Sequence, residues 1–580
     1  MSGRAGYVLR WCGAWLGALA LAGAARALLQ CQPDMPALPS ALAAALALGF
    51  LGLWLALWCG LALGLGLGAG DGRKAALQGS WAWCLALAWP LARRAQLPYP
   101  HDLPERPLQI LLAAALLMGL ASSLLGLLRG VLRHGSLAQL SPRAAALRLG
   151  GLVWVVYLAS SLWTWRWLMT GDAPAYVLMS ATLSGQHNLD LGPYYKSGEW
   201  RRYYPLERDL PPLALTLPNG QQISEHRPLL SALAAPAYRV GGFAGVIWTE
   251  TLLGALATGL FYLLLRKRGM APRPALLGWA LLAFGAPWWI YSQSILVEVL
   301  AGALGLAWLC AWEGVLPEPA AWILPALLPW VGTRLVAPAA GAALAWAWHW
   351  RRRPVKAAAV GAFLALSLGL VSWFNASTVG SASVNAYLVN NGATMQVLFN
   401  PWRSPQIVSG LLLDQEYGLL PWAPVLLLAV AGASLWWRRR DSAWMPVLGW
   451  SLPYCAVLAC FVFWTGPMAP ARYLIALVPF LALAAVEGME ALRPARWPWV
   501  LSALSWALAL VMQVLPWFCF SKGQGASWPL RILGSALGLR LTSYFPSFII
   551  NAPQSYLWSL GLVLFAVWMA RRPALAGRRP

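Results

Sequence analysis

Apolar residues recur along the whole chain in long runs, separated by short polar stretches. Many runs reach about 20 residues, the length that carries a helix across the hydrocarbon of a bilayer. Backbone amides in lipid must be satisfied within the segment, so the pattern predicts an all-α polytopic bundle. Arg4 and Arg10 precede the first run, and no small-residue cleavage site with a soluble domain follows it. That run therefore reads as a first membrane helix rather than a removed signal.

Basic clusters punctuate the pattern at 73–74, 129–148, 266–273, 351–356, 438–440, 493–496 and 571–579. The excess of Lys and Arg in cytoplasmic loops places these inside, and about sixteen crossings then put both termini in the cytoplasm. The loop at 93–107 carries Arg93, Arg94 and Arg106 outside, against that rule. Residues 1–147 read as an N-terminal module of about four helices, and 148–580 as the main membrane domain with outer loops 170–242, 375–422 and 518–555. Within the first loop, 228–242 is too short to span and predicts an interfacial helix. Residues 320–350 predict two short half-spans broken by proline, an arrangement tolerated where irregular backbone lines a cavity.

Composition narrows the class. Of 580 residues, 60% are hydrophobic and 11% charged, which excludes a soluble globular protein. The 38 Trp include Trp163, Trp165, Trp167, Trp288, Trp289, Trp436, Trp437 and Trp464 at segment ends, where interfacial belts form. The formal net charge of +23 resides in short loops, so nucleic acid is not expected as a partner. Eight Cys are scattered without a CxxC pair, which argues against a disulfide framework or a zinc site.

Candidate chemistry gathers on the predicted outer side. Asp172 opens the first large loop, and His226 and Arg227 close it in "ISEHRPLL". Glu298 lies in "YSQSILVEVL", Arg334 in "PWVGTRLV", Asp414 and Tyr417 in "LLLDQEYGLLPWAPV", and Arg472 ends "WTGPMAPAR". Charge near hydrocarbon is costly and marks function by default. Carboxylates can take a proton from a hydroxyl, and arginine forks suit phosphate. Structural readings stand beside these. Asp172 and Asp414 could cap turns, Glu298 could pair with Arg334 or Arg472, and the two arginines could snorkel as anchors. "NAS" at Asn375 fits an N-glycosylation acceptor by pattern alone.

"GDAPAYVL" and "NLDLGPYY", then "EHRPLLSALAAPAYRVGG", "YSQSILVE", "LPWVGTR", "LLLDQEYGLLPWAPVLLL" and "WTGPMAPARYLIALVP" follow one another over residues 170–480. In that order they resemble the polytopic C-type glycosyltransferases of the GT-C fold, in a bacterial branch of the dolichyl-phosphate-mannose-protein mannosyltransferase-like group. The resemblance does not cover residues 1–147. It implies inverting transfer from a polyprenyl-phosphate-linked sugar to an envelope lipid, glycan or protein, at the outer face of the bacterial inner membrane. It implies Asp172 as catalytic base, Arg334 and Arg472 on the donor phosphate with His226 assisting, and Glu298 and Asp414 lining the sugar or acceptor side. Arg227 and Tyr417 fall within the matching stretches and are counted with the substrate-binding residues. The second acidic position of the loop motif is Ala173 here, which weakens a carboxylate pair for a divalent cation. No cofactor or metal is expected. A secondary transporter or polyprenyl-lipid flippase is the alternative; it would explain intramembrane charge without group transfer.

Overall fold

The computed structural model describes residues 140–571, apart from 170, 204–213, 384–398, 467, 469, 493–494 and 517–522. The chain divides into two compact units, Met1–Thr164 with Gln513–Leu515, and Trp165–Met512 with Pro516–Pro580. The expected N-terminal module falls almost wholly outside the described residues. Helix α1 (Pro142–Leu168) runs through residue 147. The second unit carries every candidate residue.

Helix dominates, and among the described residues four helical stretches are long and apolar enough to cross a membrane: Pro142–Ser161, Phe243–Lys267, Pro354–Val379 and Arg472–Ala491. Shorter apolar helices accompany them, including Val297–Trp312, Ala320–Val331 and Trp444–Cys460. In chain order after α1 come α2 (Ala173–Gly185), α3 (Leu229–Gly241), α4 (Phe243–Lys267), α5 (Pro272–Ala283) and α6 (Val297–Trp312). Then follow α7 (Ala320–Val331), α8 (Val336–His349), α9 (Pro354–Val379) and α10 (Ser404–Leu413). After these come α11 (Ala429–Arg439), α12 (Trp444–Cys460), α13 (Val478–Ala491), α14 (Trp497–Val514), α15 (Trp528–Leu537) and α16 (Ser555–Arg571), with helices of four to six residues left unnumbered. The one sheet among the described residues pairs β1 (Ala214–Thr216) with β2 (Gln222–Ser224), antiparallel.

Two sequence expectations reappear as local structure. Residues 229–241 form their own helix, α3, separated from α4 by Gly242 at φ +57°. The stretch 320–350 is two short helices, α7 and α8, and Gly332 with the turn Thr333–Leu335 breaks them apart. Pro325 and Pro329 lie within α7 and remove two backbone donors from it.

The bundle core is aromatic, which changes the reading of the tryptophans. Trp288 and Trp289 are fully buried, and Trp436 and Trp464 nearly so, whereas Trp437 is exposed. Small residues opposite make room: a Cβ on Gly302 would stand 2.9 Å from the Trp288 ring, and one on Gly410 2.4 Å from the Trp464 ring. Helices in lipid associate by close packing rather than by hydrophobic burial, so large rings seat against glycine inside the bundle. Exposed apolar surface lies elsewhere. Only 17% of the apolar window of α9 is buried, with Phe363, Leu366, Leu370 and Trp373 exposed along it.

Candidate functional site: a chain of alternating charges at one end of the bundle

Five of the eight expected site residues meet. The guanidinium of Arg472 donates from one terminal nitrogen to Asp172 Oδ2 and from Nε to Glu298 Oε1, the latter at 3.1 Å. Arg334 donates to the same Glu298 oxygen. His226 Nε2 stands 3.8 Å from Asp172 Oδ1, an ion-pair distance rather than a hydrogen bond. The order His226–Asp172–Arg472–Glu298–Arg334 therefore alternates in sign. With His226 neutral, its two carboxylates balance its two guanidiniums.

Each member arrives from a different element. Asp172 is the N-cap residue of α2, yet its side chain makes no capping hydrogen bond and turns to Arg472 instead. Glu298 sits in the first turn of α6, and Arg334 in the break between α7 and α8. Arg472 opens the 3₁₀ turn Arg472–Leu477 that leads into α13. The residue before it, Ala471, holds φ +63°, which aims the arginine into the site. His226 follows β2, whose Gln222 amide is held by Asp190 Oδ1 at 2.9 Å.

Two tyrosines that the sequence reading did not single out complete the site. The Tyr176 ring stacks on His226, centroids 5.0 Å apart, and fixes the imidazole beside Asp172. The Tyr473 ring underlies both arginines, with the Arg334 and Arg472 guanidinium carbons 4.9 and 5.4 Å from its centroid. An arginine follows its neighbour's ring face by cation–π attraction. Tyr473 was within reach of the sequence, since it adjoins Arg472. Tyr176 was not, because nothing in "APAYVL" separates it from an ordinary core tyrosine.

Burial grades along the chain. Glu298 and Arg472 are inside, whereas the Asp172 side chain is 28% exposed and Arg334 23%. Both ends of the chain can therefore be reached by a ligand. Burial pushes the Asp172 carboxyl up, but Arg472 foremost, with His226 and Arg334, outweighs it and holds the group well below the usual carboxylate range. Arg472 and Arg334 are not snorkelling anchors: both turn inward to Glu298.

The other three expected residues do different work. Arg227 donates to Asn375 Oδ1 near the end of α9, and Asn375 passes its amide to Ser383 O at 2.7 Å. That buries Asn375 completely, so the acceptor pattern "NAS" offers no exposed amide for glycosylation. Asp414 accepts from the backbone N–H of Glu416 and Tyr417 on Oδ1, and from Phe548 on Oδ2 at 2.7 Å. It is a turn cap and a clasp on the 523–555 segment rather than a wall of the charge chain. Gln415 and Glu416 add to that clasp through Thr542, Phe545, Ser527 and Gly525. Tyr417 packs edge-on against Trp464, and its carbonyl accepts from Ala471 N at 2.9 Å, one residue from Arg472.

At the opposite end of the same helices lies a second charged cluster. Arg268, just beyond α4, donates to Glu487 of α13, to Asp441 and to Glu313 at 2.6, 2.8 and 3.0 Å. Glu298 and Glu313 bracket α6, so about 24 Å of helix separates the two clusters. Trp436 Nε1 adds a bond to Glu487 at 2.7 Å.

Together the bundle and the charge chain define the class: a helical protein with several helices long and apolar enough to cross a membrane, and a buried polar site at one end of its helices. No family model, no curated protein and no solved structure matches the chain.

Proposed function

We propose that the protein transfers a sugar from a polyprenyl-phosphate-linked donor to an envelope acceptor, at the outer face of a bacterial inner membrane, in a bundle of about sixteen spans. The observation that carries this reading is the Asp172–Arg472–Glu298–Arg334 chain, in which one buried and one partly exposed guanidinium group lie beside a reachable carboxylate. Arginine forks bind phosphate through charge-assisted hydrogen bonds. The donor is a phosphodiester with one negative charge, and the departing polyprenyl phosphate gains a second. Cations placed where that charge develops stabilise the transition state more than the ground state.

Asp172 is the base. The acceptor hydroxyl attacks the anomeric carbon, its proton passes to Asp172, and the bond to phosphate breaks with the electron pair leaving on oxygen. Paired with Arg472, Asp172 is a poor base, because the guanidinium stabilises the carboxylate. Donor phosphate offers Arg472 another anion. Its arrival loosens the Asp172 pair and raises the basicity of that carboxylate just when an acceptor is needed. His226, held on Tyr176, orients the freed carboxylate. Asp414 and Tyr417 act at a distance, by fixing the loop that delivers Arg472.

Binding of polyprenyl phosphate, followed by native mass spectrometry of the detergent-solubilised chain, tests the arginine assignment. Arg472→Lys keeps the charge but loses the fork, and should weaken binding about tenfold or more, one bidentate hydrogen bond being worth about 1.5–3 kcal/mol. Equal binding by that variant would remove the phosphate from this site.

A lipid-carrier flippase or secondary transporter is the second reading, favoured by the Arg268 cluster. A network joining four segments at the far end could serve as an inner gate. Arg268→Ala separates the two: a transporter would leak or lose coupling, whereas a transferase would lose stability alone.

A further inference from the structure

Glu250 stands two turns into α4, in "WTETLL", about 10 Å from the helix start. It is fully buried, and among the described residues neither carboxylate oxygen has a hydrogen-bond partner. The elements packed against α4 are α3, α6 and α5, with α2 in lesser contact. Of these, α2 carries no charge. The charge on α3 is Arg239, which is exposed, and that on α5 is Arg273, in the first turn next to the far end of α4. Along α6 the only charge is Glu298, and it is the like charge that acts on Glu250. An ionised carboxylate would stand here without a counter-ion in an apolar interior, a state that side chains escape by neutralising.

We infer that Glu250 is a proton-binding site, a carboxylic acid kept neutral inside the bundle on the helix packed against the one that bears Glu298. The charge balance of the neighbouring site supports this. Asp172 and Glu298 already match Arg334 and Arg472 one for one, so a third negative charge would have no cation among them. Glu298 Oε2 is also buried without a hydrogen-bond partner. The inference does not depend on sugar transfer, and holds equally if the protein moves a solute.

Infrared difference spectroscopy of the full detergent-solubilised chain, wild type minus Glu250→Gln at neutral pH, reads the protonation state directly. The difference should hold the C=O stretch of a carboxylic acid and leave the carboxylate bands flat. A difference in the carboxylate bands instead would overturn the inference. Thermal unfolding gives an independent arm through Glu250→Met, which replaces an unpartnered polar group with an apolar one of similar length. The midpoint should rise or hold. A lowered midpoint would mean that Glu250 is an ion with a counter-charge, and the proton site would be withdrawn.

Discussion

Glu298 is the joint on which the site depends. One of its oxygens receives hydrogen bonds from both Arg334 and Arg472, and the side chain has no exposure. Removing one partner of a buried pair costs about 3–5 kcal/mol, because it strands the other charge. Glu298→Gln takes the carboxylate from Arg334 and leaves Arg472 with Asp172 alone, so it should lower the thermal midpoint of the solubilised protein. An unchanged midpoint would mean that the arginines find other partners. The sequence reading left open whether Glu298 pairs with Arg334 or with Arg472. The structure pairs it with both, a distinction that no spacing along the chain encodes.

Asp414 shows the opposite case, a carboxylate whose role is structural. Burial raises it to about 6, against the pull of three backbone N–H donors. Between its ordinary value and that one the native state holds the extra proton, so this group makes stability fall as pH rises through about 4 to 6. Asp414→Asn should flatten that slope. It should also cost about 1–3 kcal/mol, since an amide oxygen cannot serve both sets of N–H donors. Unfolding curves measured across that pH range check both effects. A titration slope that survives in the variant would assign it to another group.

At the scale of elements, close helix contacts decide where the charged turns end up. The carbonyls of the partner helices approach glycine on both sides of the α11–α13 contact. A Cβ on Gly432 would stand 1.9 Å from Ala484 O, and one on Gly488 2.3 Å from Leu428 O. Neither backbone can yield locally, so Gly432→Ala must push α13 away and carry with it the turn that holds Arg472. The expected result is a loss of several kcal/mol in stability, more than the ~1–3 kcal/mol usual for overpacking. A variant as stable as wild type would show that the two helices slide freely. The break at 332–335 was legible in advance, because prolines and a polar "GTR" interrupt an apolar run too short to span twice. Trp288, Trp289, Trp436 and Trp464 stand at segment ends in the sequence, yet their rings pack inside the bundle. Composition does not distinguish a ring that faces the core from one that faces outward.

For the whole molecule, polarity is the organising fact. Helices α6 and α13 run from the charge chain to the Arg268 cluster, which α4 also reaches, so each end of these helices is tied by ion pairs. Asp172, Arg334 and Arg472 were findable because charge is scarce in apolar sequence and each stands at the edge of a run. Glu250 met the same criterion, inside "WTETLL", but no neighbouring polar pattern drew attention to it. Arg268 was hidden among the basic residues of its loop, where only the fold shows that it collects three carboxylates.

Sugar transfer in proteoliposomes tests the central claim most directly. Purified protein is reconstituted with a panel of polyprenyl-phosphate sugars carrying a labelled glycosyl group, together with envelope lipids and glycans as acceptors. The account predicts that wild-type protein moves label from a donor to an acceptor. It predicts that Asp172→Asn, still folded and still binding polyprenyl phosphate, loses roughly 10²–10⁴-fold in rate. Full turnover by Asp172→Asn, or donor crossing the bilayer with its sugar intact, would contradict it.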